Sequence, residues 1–275
     1  MMIPILTTDG GRCLTVANWQ EVGVRLVAAQ LTSLLMKPGF DLLNELPNLT
    51  AYISWMDAFV LNASMPKINE SGRYTLRSSY DGSRRQYTMD TLFKLIGQLK
   101  PPFVILPQGV HQQNPAGWLS LPNSVFPFFP PMDLPKSQGV GPYGVHLYYD
   151  GISPFSSLLK QVSEYHEYTC YVSGELNAAQ LQALAHAGIQ YLESDLPTRD
   201  ASLGIVYHRD GVYSLKDKTQ ALQFEPIDSN CLCPTCSQRL TRAYLHHLLE
   251  HTPLLCQRFL IQHNIYYCQT SFTSG

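Results

Sequence analysis

Hydrophobic runs bounded by turn residues, rather than strict apolar/polar alternation, dominate the first two hundred residues. The segment EVGVRLVAAQLTSLLMKPG reads as a strand entering a helix-like apolar stretch that Pro38 and Gly39 close. In TMDTLFKLIGQLKPPFVILPQ the helical period gives way, after a turn, to a buried strand over Phe103–Leu106. The alternation resumes later. YGVHLYYDGIS is strand-like, SSLLKQVSEYH helical, YTCYVSG a strand, and NAAQLQALAHAGIQYLESDLPTR a capped helix feeding another strand. Strands and helices that alternate over short connections predict a parallel sheet, either doubly wound or closed into a (β/α) barrel. From Gln108 to Pro142 the chain is rich in Pro, Gly, Asn and Gln around FPFFPPMDLP, which predicts a long irregular excursion.

Composition narrows the functional classes. With 275 residues and 45% hydrophobic content the chain can bury one large core or two modest ones. No stretch reaches the ~18 apolar residues of a spanning helix, and the opening lacks the pattern of a secretory leader. No membrane span and a cytoplasmic location are therefore expected. The net charge of −2 argues against a strongly basic nucleic-acid binder, so any contact with nucleic acid has to be local. Seven cysteines, three of them in CLCPTC, fit reduced thiols and a metal cluster better than a disulfide framework.

Cys231, Cys233 and Cys236 offer three of the four ligands of a tetrahedral Zn²⁺ site from one tight turn. The fourth has to come from elsewhere, and His246, His247, His251 and His263 are the candidates. His246 and His247 are adjacent on a predicted helix, hence about 100° apart, so only one of them could face the cluster. A buried thiol cluster without metal is the competing reading. A closed four-ligand site would be structural, with no open position for a catalytic water.

The run CLCPTCSQRLTRAYLHHLLEHTPLLCQRFLIQHNIYY resembles the zinc subdomain of the tRNA-guanine transglycosylases in its C-x-C-x-T-C, its R-A-Y-L-H-H-L helix and its H-N-x-x-Y-Y ending. AGIQYLESDLPTRDASLG, VAAQLTSLLMKPG, WMDAFVLNAS and SSYDGSRRQYT resemble further landmarks of that family in the same order. The likeness implies a (β/α)8 TIM-barrel-like fold over residues 1–228, with the irregular segment at about 108–142, and a zinc-binding subdomain over 229–275. It makes His263 the fourth ligand of a structural Zn²⁺. Family members continue beyond the point where this chain reaches CQTSFTSG, so a degenerate or incomplete barrel is expected, its uncovered edges needing a partner.

The family exchanges guanine in the tRNA anticodon for a 7-deazaguanine base, with one aspartate as nucleophile and another as general acid/base. The resemblance puts Glu193 at the nucleophile position and Asn62 at the acid/base position; an amide cannot shuttle a proton at neutral pH. Gln108 stands where the family has a base-reading aspartate and Gln30 where it has an asparagine, while Gly151 and Arg199 fall at further substrate-binding positions. The family's strand bearing V-Q-G-G has no recognisable counterpart in the Pro-rich segment. These replacements resemble those of the non-catalytic subunit of the eukaryotic enzyme. They predict a non-catalytic or weakly active homologue acting in queuosine modification, with tRNA and either a second copy or a complete transglycosylase as partners. The alternative expectation is a working base-exchange enzyme that uses Glu193 as nucleophile. Without the likeness, Glu193 reads as a solvent-facing or strand-end carboxylate and Arg199 as the partner of a nearby carboxylate.

Overall fold

The computed structural model describes residues 1–78, 80–110, 117–135 and 142–271. Twelve strands occur among them: β1 (Met2–Ile3), β2 (Leu26–Gln30), β3 (Ala58–Asn62), β4 (Tyr74–Arg77), β5 (Arg84–Tyr87), β6 (Phe103–Ile105), β7 (Phe126–Phe129), β8 (Gly144–Tyr149), β9 (Thr169–Gly174), β10 (Tyr191–Glu193), β11 (Ile205–His208) and β12 (Gly211–Ser214). Eight of these form one sheet in the order β1-β10-β9-β8-β7-β6-β3-β2. Pairing is parallel from β2 to β8 and between β1 and β10. Strands of neighbouring βα units that follow one another in this way make a nearly closed (β/α)8 barrel, with β1 and β2 as the two ends of the order. No helix among the described residues is long and apolar enough to cross a membrane.

By its internal contacts the chain divides into two compact units, one of residues 26–148 and 156–172, the other of 1–25, 149–155 and 173–275. In the first of these, the registers Leu26↔Ala58 to Gln30↔Asn62 and Val60↔Phe103 align β2, β3 and β6. Their sequences LVAAQ, AFVLN and FVI are continuous apolar runs because parallel strands are covered on both faces. The helix α1 (Met89–Leu99) buries Met89, Leu92, Phe93, Leu95, Ile96 and Leu99 along one stripe. Thr88 caps it by accepting the Thr91 N–H at 3.2 Å, and Lys100 ends it in the left-handed conformation.

The Pro-rich segment is not wholly irregular. Phe126–Phe129 pairs in parallel with Phe103–Ile105 on one side and with β8 on the other, so the sheet keeps the strand that sequence patterning treats as an excursion. Phe103, Phe126, Phe128 and Tyr171 form an aromatic layer with ring centroids 5.1–6.2 Å apart. Gly144 is required beside it, since a Cβ there would lie 2.6 Å from the Phe128 ring and 2.4 Å from the Thr169 carbonyl oxygen. Residues 111–116 and 136–141 of the expected excursion lie outside the described residues.

The other unit carries β1 paired with β10, Ile3 opposite Glu193, and the antiparallel hairpin of β11 and β12. Its helices are α2 (Ala178–His186), α3 (Leu196–Ser202), α4 (Arg242–His251) and α5 (Pro253–Ser271). A reciprocal capping box fixes the start of α2, with Asn177 and Gln180 each accepting the other's backbone N–H at 3.0 Å. Gly174, at φ +129°, lets β9 turn where a Cβ would sit 1.9 Å from the Tyr149 carbonyl oxygen.

Candidate functional site

The three cysteines are placed by turn chemistry. Asp228 accepts the Asn230 N–H on its side chain at 2.8 Å and the Cys231 N–H on its carbonyl at 3.2 Å, which turns the chain into the cluster. Cys233 caps a single helical turn, Pro234–Ser237, its Sγ accepting the Cys236 N–H at 3.3 Å. The Cys231 Sγ accepts the Cys233 N–H at 3.5 Å. From α5, His263 brings its Nδ1 to 3.8, 3.4 and 3.4 Å from the sulfurs of Cys231, Cys233 and Cys236.

The donor set fits a tetrahedral metal ion. Zn–S and Zn–N bonds of about 2.3 and 2.0 Å at a tetrahedral angle give a sulfur–nitrogen edge of about 3.5 Å. The three observed edges straddle that length, and all four donor atoms lie within 4.8 Å of one another. Charge points the same way. Hydrogen bonding with Cys233 and then Cys236 pulls the Cys231 thiol down, while hydrogen bonding with Cys231 and Cys233 pushes Cys236 up. The protein alone thus favours the Cys231 thiolate at the expense of Cys236, and a divalent cation would offset the cost of ionising both. The Nε2–H of His263 donates to the Tyr207 carbonyl at 2.7 Å, the outer bond that fixes a ligating imidazole's tautomer and angle.

The other histidines are accounted for elsewhere. His246 is buried with Nδ1 2.7 Å from the Leu215 carbonyl oxygen, and His247 and His251 are exposed with ring centroids 4.4 Å apart. Sequence reasoning missed Asn264, next to the ligand. Its side chain accepts the Tyr207 N–H at 3.1 Å and donates to the carbonyls of Pro197 at 3.2 Å and Ile205 at 2.9 Å. His263 and Asn264 together therefore hold both backbone polar groups of Tyr207, and Asn264 reaches α3 as well. The adjacent H-N of HNIYY was the available signal.

The remaining candidates end strands. Gln30 and Asn62 are opposite each other at the carboxyl ends of β2 and β3. Asn62 is buried and its Oδ1 accepts the Ser64 N–H at 3.1 Å, while Gln30 Oε1 accepts from the Ser33 hydroxyl at 3.2 Å. Gln108, beyond β6, is exposed and turns its amide to the Met132 sulfur at 2.7 Å. Close by, Asp133 is buried and its Oδ2 accepts the Gly109 N–H at 2.7 Å.

In the other unit, Glu193 ends β10 and is only 2% exposed, which removes the solvent-facing reading of that carboxylate. Gly151 and Arg199 meet at Glu175. Arg199 grips Glu175 with both terminal nitrogens, Nη1 at 3.0 Å from Oε1, and this bond draws the Glu175 carboxyl below its usual range. A Cβ on Gly151, whose φ is +74°, would lie 2.7 Å from the Glu175 Cβ. Two residues past Glu193, Asp195 takes hydroxyl bonds from Thr8 at 2.6 Å and Thr198 at 2.5 Å on one oxygen. Burial nonetheless raises its pKa.

Residues 152–274 match the family model described as queuine tRNA-ribosyltransferase, a span that takes in the Cys3His group and the strand bearing Glu193. Just under half of the chain therefore resembles the queuine tRNA-ribosyltransferases in sequence. The queuine tRNA-ribosyltransferase of Nitrosospira multiformis is 36% identical over 99 residues, which cover 36% of this chain and 27% of that protein. That of Clostridium acetobutylicum is 30% identical over 100 residues, or 26% of its length. A longer alignment, to the queuine tRNA-ribosyltransferase of Treponema denticola, is 23% identical over 96% of this chain and 81% of that protein. The match to the first two relatives thus spans about a quarter of their length.

Proposed function

We propose that this protein acts in queuosine modification of tRNA as a non-catalytic or weakly active transglycosylase homologue, an accessory subunit located in the cytoplasm. Its Cys3His group would hold a structural Zn²⁺, and its partners would be tRNA and either a second copy or a complete transglycosylase. The observation that carries the reading is Asn62: the position that the family likeness assigns to the acid/base holds an amide, committed to the Ser64 N–H at 3.1 Å. An amide neither releases nor takes up a proton at neutral pH, and loss of general acid/base catalysis costs about 10²–10⁴ in rate. Two further positions point the same way. The Gln108 amide lies against the Met132 sulfur, and Arg199 is held by Glu175.

One observation favours a second reading. Glu193 keeps a carboxylate, buried at the carboxyl end of a barrel strand, where catalytic groups of such folds are placed. In that reading Glu193 would be the nucleophile of a slow base exchange. Incorporation of labelled guanine into tRNA separates the two. The expected outcome is no incorporation under conditions where a complete transglycosylase turns over. Incorporation within about tenfold of the complete enzyme contradicts the proposal, because loss of the acid/base alone exceeds that factor. If Glu193→Gln then abolishes it, the second reading stands.

A further inference from the structure

Beside the metal-ligand group, a cavity of about 310 Å³ opens between the β11–β12 hairpin and the loop that leads into Cys231. His208, Arg209, Tyr213, Asp228 and Arg242 are among the residues that line it. Arg242 is its unusual member. The guanidinium lies over the Tyr213 ring, 5.6 Å from the centroid, and its Nη2 donates to the Gln223 side chain at 3.0 Å. Its Nε is buried and has no hydrogen-bond partner. Among the described residues neither Arg242 nor Arg209 forms an ion pair with a carboxylate.

Arg242 thus lines the cavity with a guanidinium that no carboxylate of the chain neutralises, and an acceptor from outside would meet that charge. The acidic groups of the lining do not supply one. Asp228 is engaged by the Asn230 N–H at 2.8 Å and lies 3.9 Å from the His208 ring, and Glu225 is exposed at the rim. Two arginines without carboxylate partners around a recess match an oxyanion, and guanidinium forks match phosphate. The protein as a whole is slightly acidic, at −2, so a nucleic-acid contact has to come from a local feature of this kind.

We infer that this cavity seats one phosphate of a bound RNA strand, held by Arg242 from within and Arg209 at the rim. The RNA source rests on the proposed function; the phosphate chemistry rests on the cavity. The test is binding of fluorescently labelled, unmodified tRNA to the full chain, measured by anisotropy over a series of salt concentrations. Arg209→Gln and Arg242→Gln are each expected to weaken binding on the order of tenfold and to reduce the salt slope by about one, as loss of one phosphate contact does. Lys160→Gln, an exposed cation on another element, should change neither. Arg209 is exposed, so its substitution tests the site even if Arg242→Gln disturbs the fold, which zinc content and circular dichroism will show. If the wild-type chain binds tRNA and both arginine variants keep its affinity and slope, the phosphate site is overturned while the family reading survives. If the wild-type chain binds no tRNA, both fall.

Discussion

At the scale of the residue, Asn264 shows how a side chain can shape a metal-ligand group without belonging to it. It is wholly buried and serves three backbone groups, so Asn264→Ala would strand the Tyr207 N–H and the carbonyls of Pro197 and Ile205. Unsatisfied buried groups cost about 1–3 kcal/mol each, and partial relaxation makes a loss of about 3 kcal/mol the expected outcome in urea unfolding. Zinc stoichiometry by elemental analysis should stay at one per chain. Cys233→Ser should behave differently, losing the ion and with it the order of the C-terminal helices, because ligation and folding are coupled. A purified wild-type chain without zinc would reject the metal assignment. The three sulfurs could be read from spacing alone, and His263 from the family likeness. Asn264 was signalled only by its place beside His263 in HNIYY, since what it does depends on the backbone of β11, some sixty residues away in sequence.

At the scale of the element, the apolar pattern placed β6 to within a residue, at Phe103–Ile105 against the expected Phe103–Leu106, and gave the type and order of β2 and α1. It missed β7 because FPFF carries a proline inside the strand, a residue that normally argues against a central position. Ring packing with Phe103 and Tyr171 compensates there, and no local pattern announces a contact of that kind. The neighbouring strand makes a prediction of its own. Burial in β8 lowers the His146 pKa from 6.5 to about 4, so the folded state binds fewer protons than the unfolded chain between those values. Stability is therefore full above pH ~6.5 and falls as the pH drops toward 4, by up to about 3 kcal/mol. Urea midpoints measured from pH 7 to 4 should fall accordingly, and His146→Leu should flatten that part of the profile. An unchanged slope in the variant would mean that other groups govern the acid limb.

At the scale of the whole molecule, the segments around the Cys3His group leave several large apolar side chains exposed. Phe224, Leu232, Tyr244 and Leu254 are 72%, 76%, 48% and 75% exposed, and all belong to the segments around the Cys3His group and helices α4 and α5. Large exposed side chains of this kind mark association surfaces when they gather on one module. The (β/α) strand pattern carried the fold class, but sequence alone could not show which tyrosines and leucines face outward, since burial depends on how helices pack. We expect light scattering to give a dimer, or a pull-down to retain a complete transglycosylase. Leu254→Glu should weaken that association with little effect on folding, as the side chain is three-quarters exposed and has no core to lose. A chain that stays monomeric at high concentration and retains no transglycosylase would leave this surface without a partner. The accessory role would then lose its physical basis, because a homologue that neither exchanges bases nor binds the enzyme that does has no route to the modification.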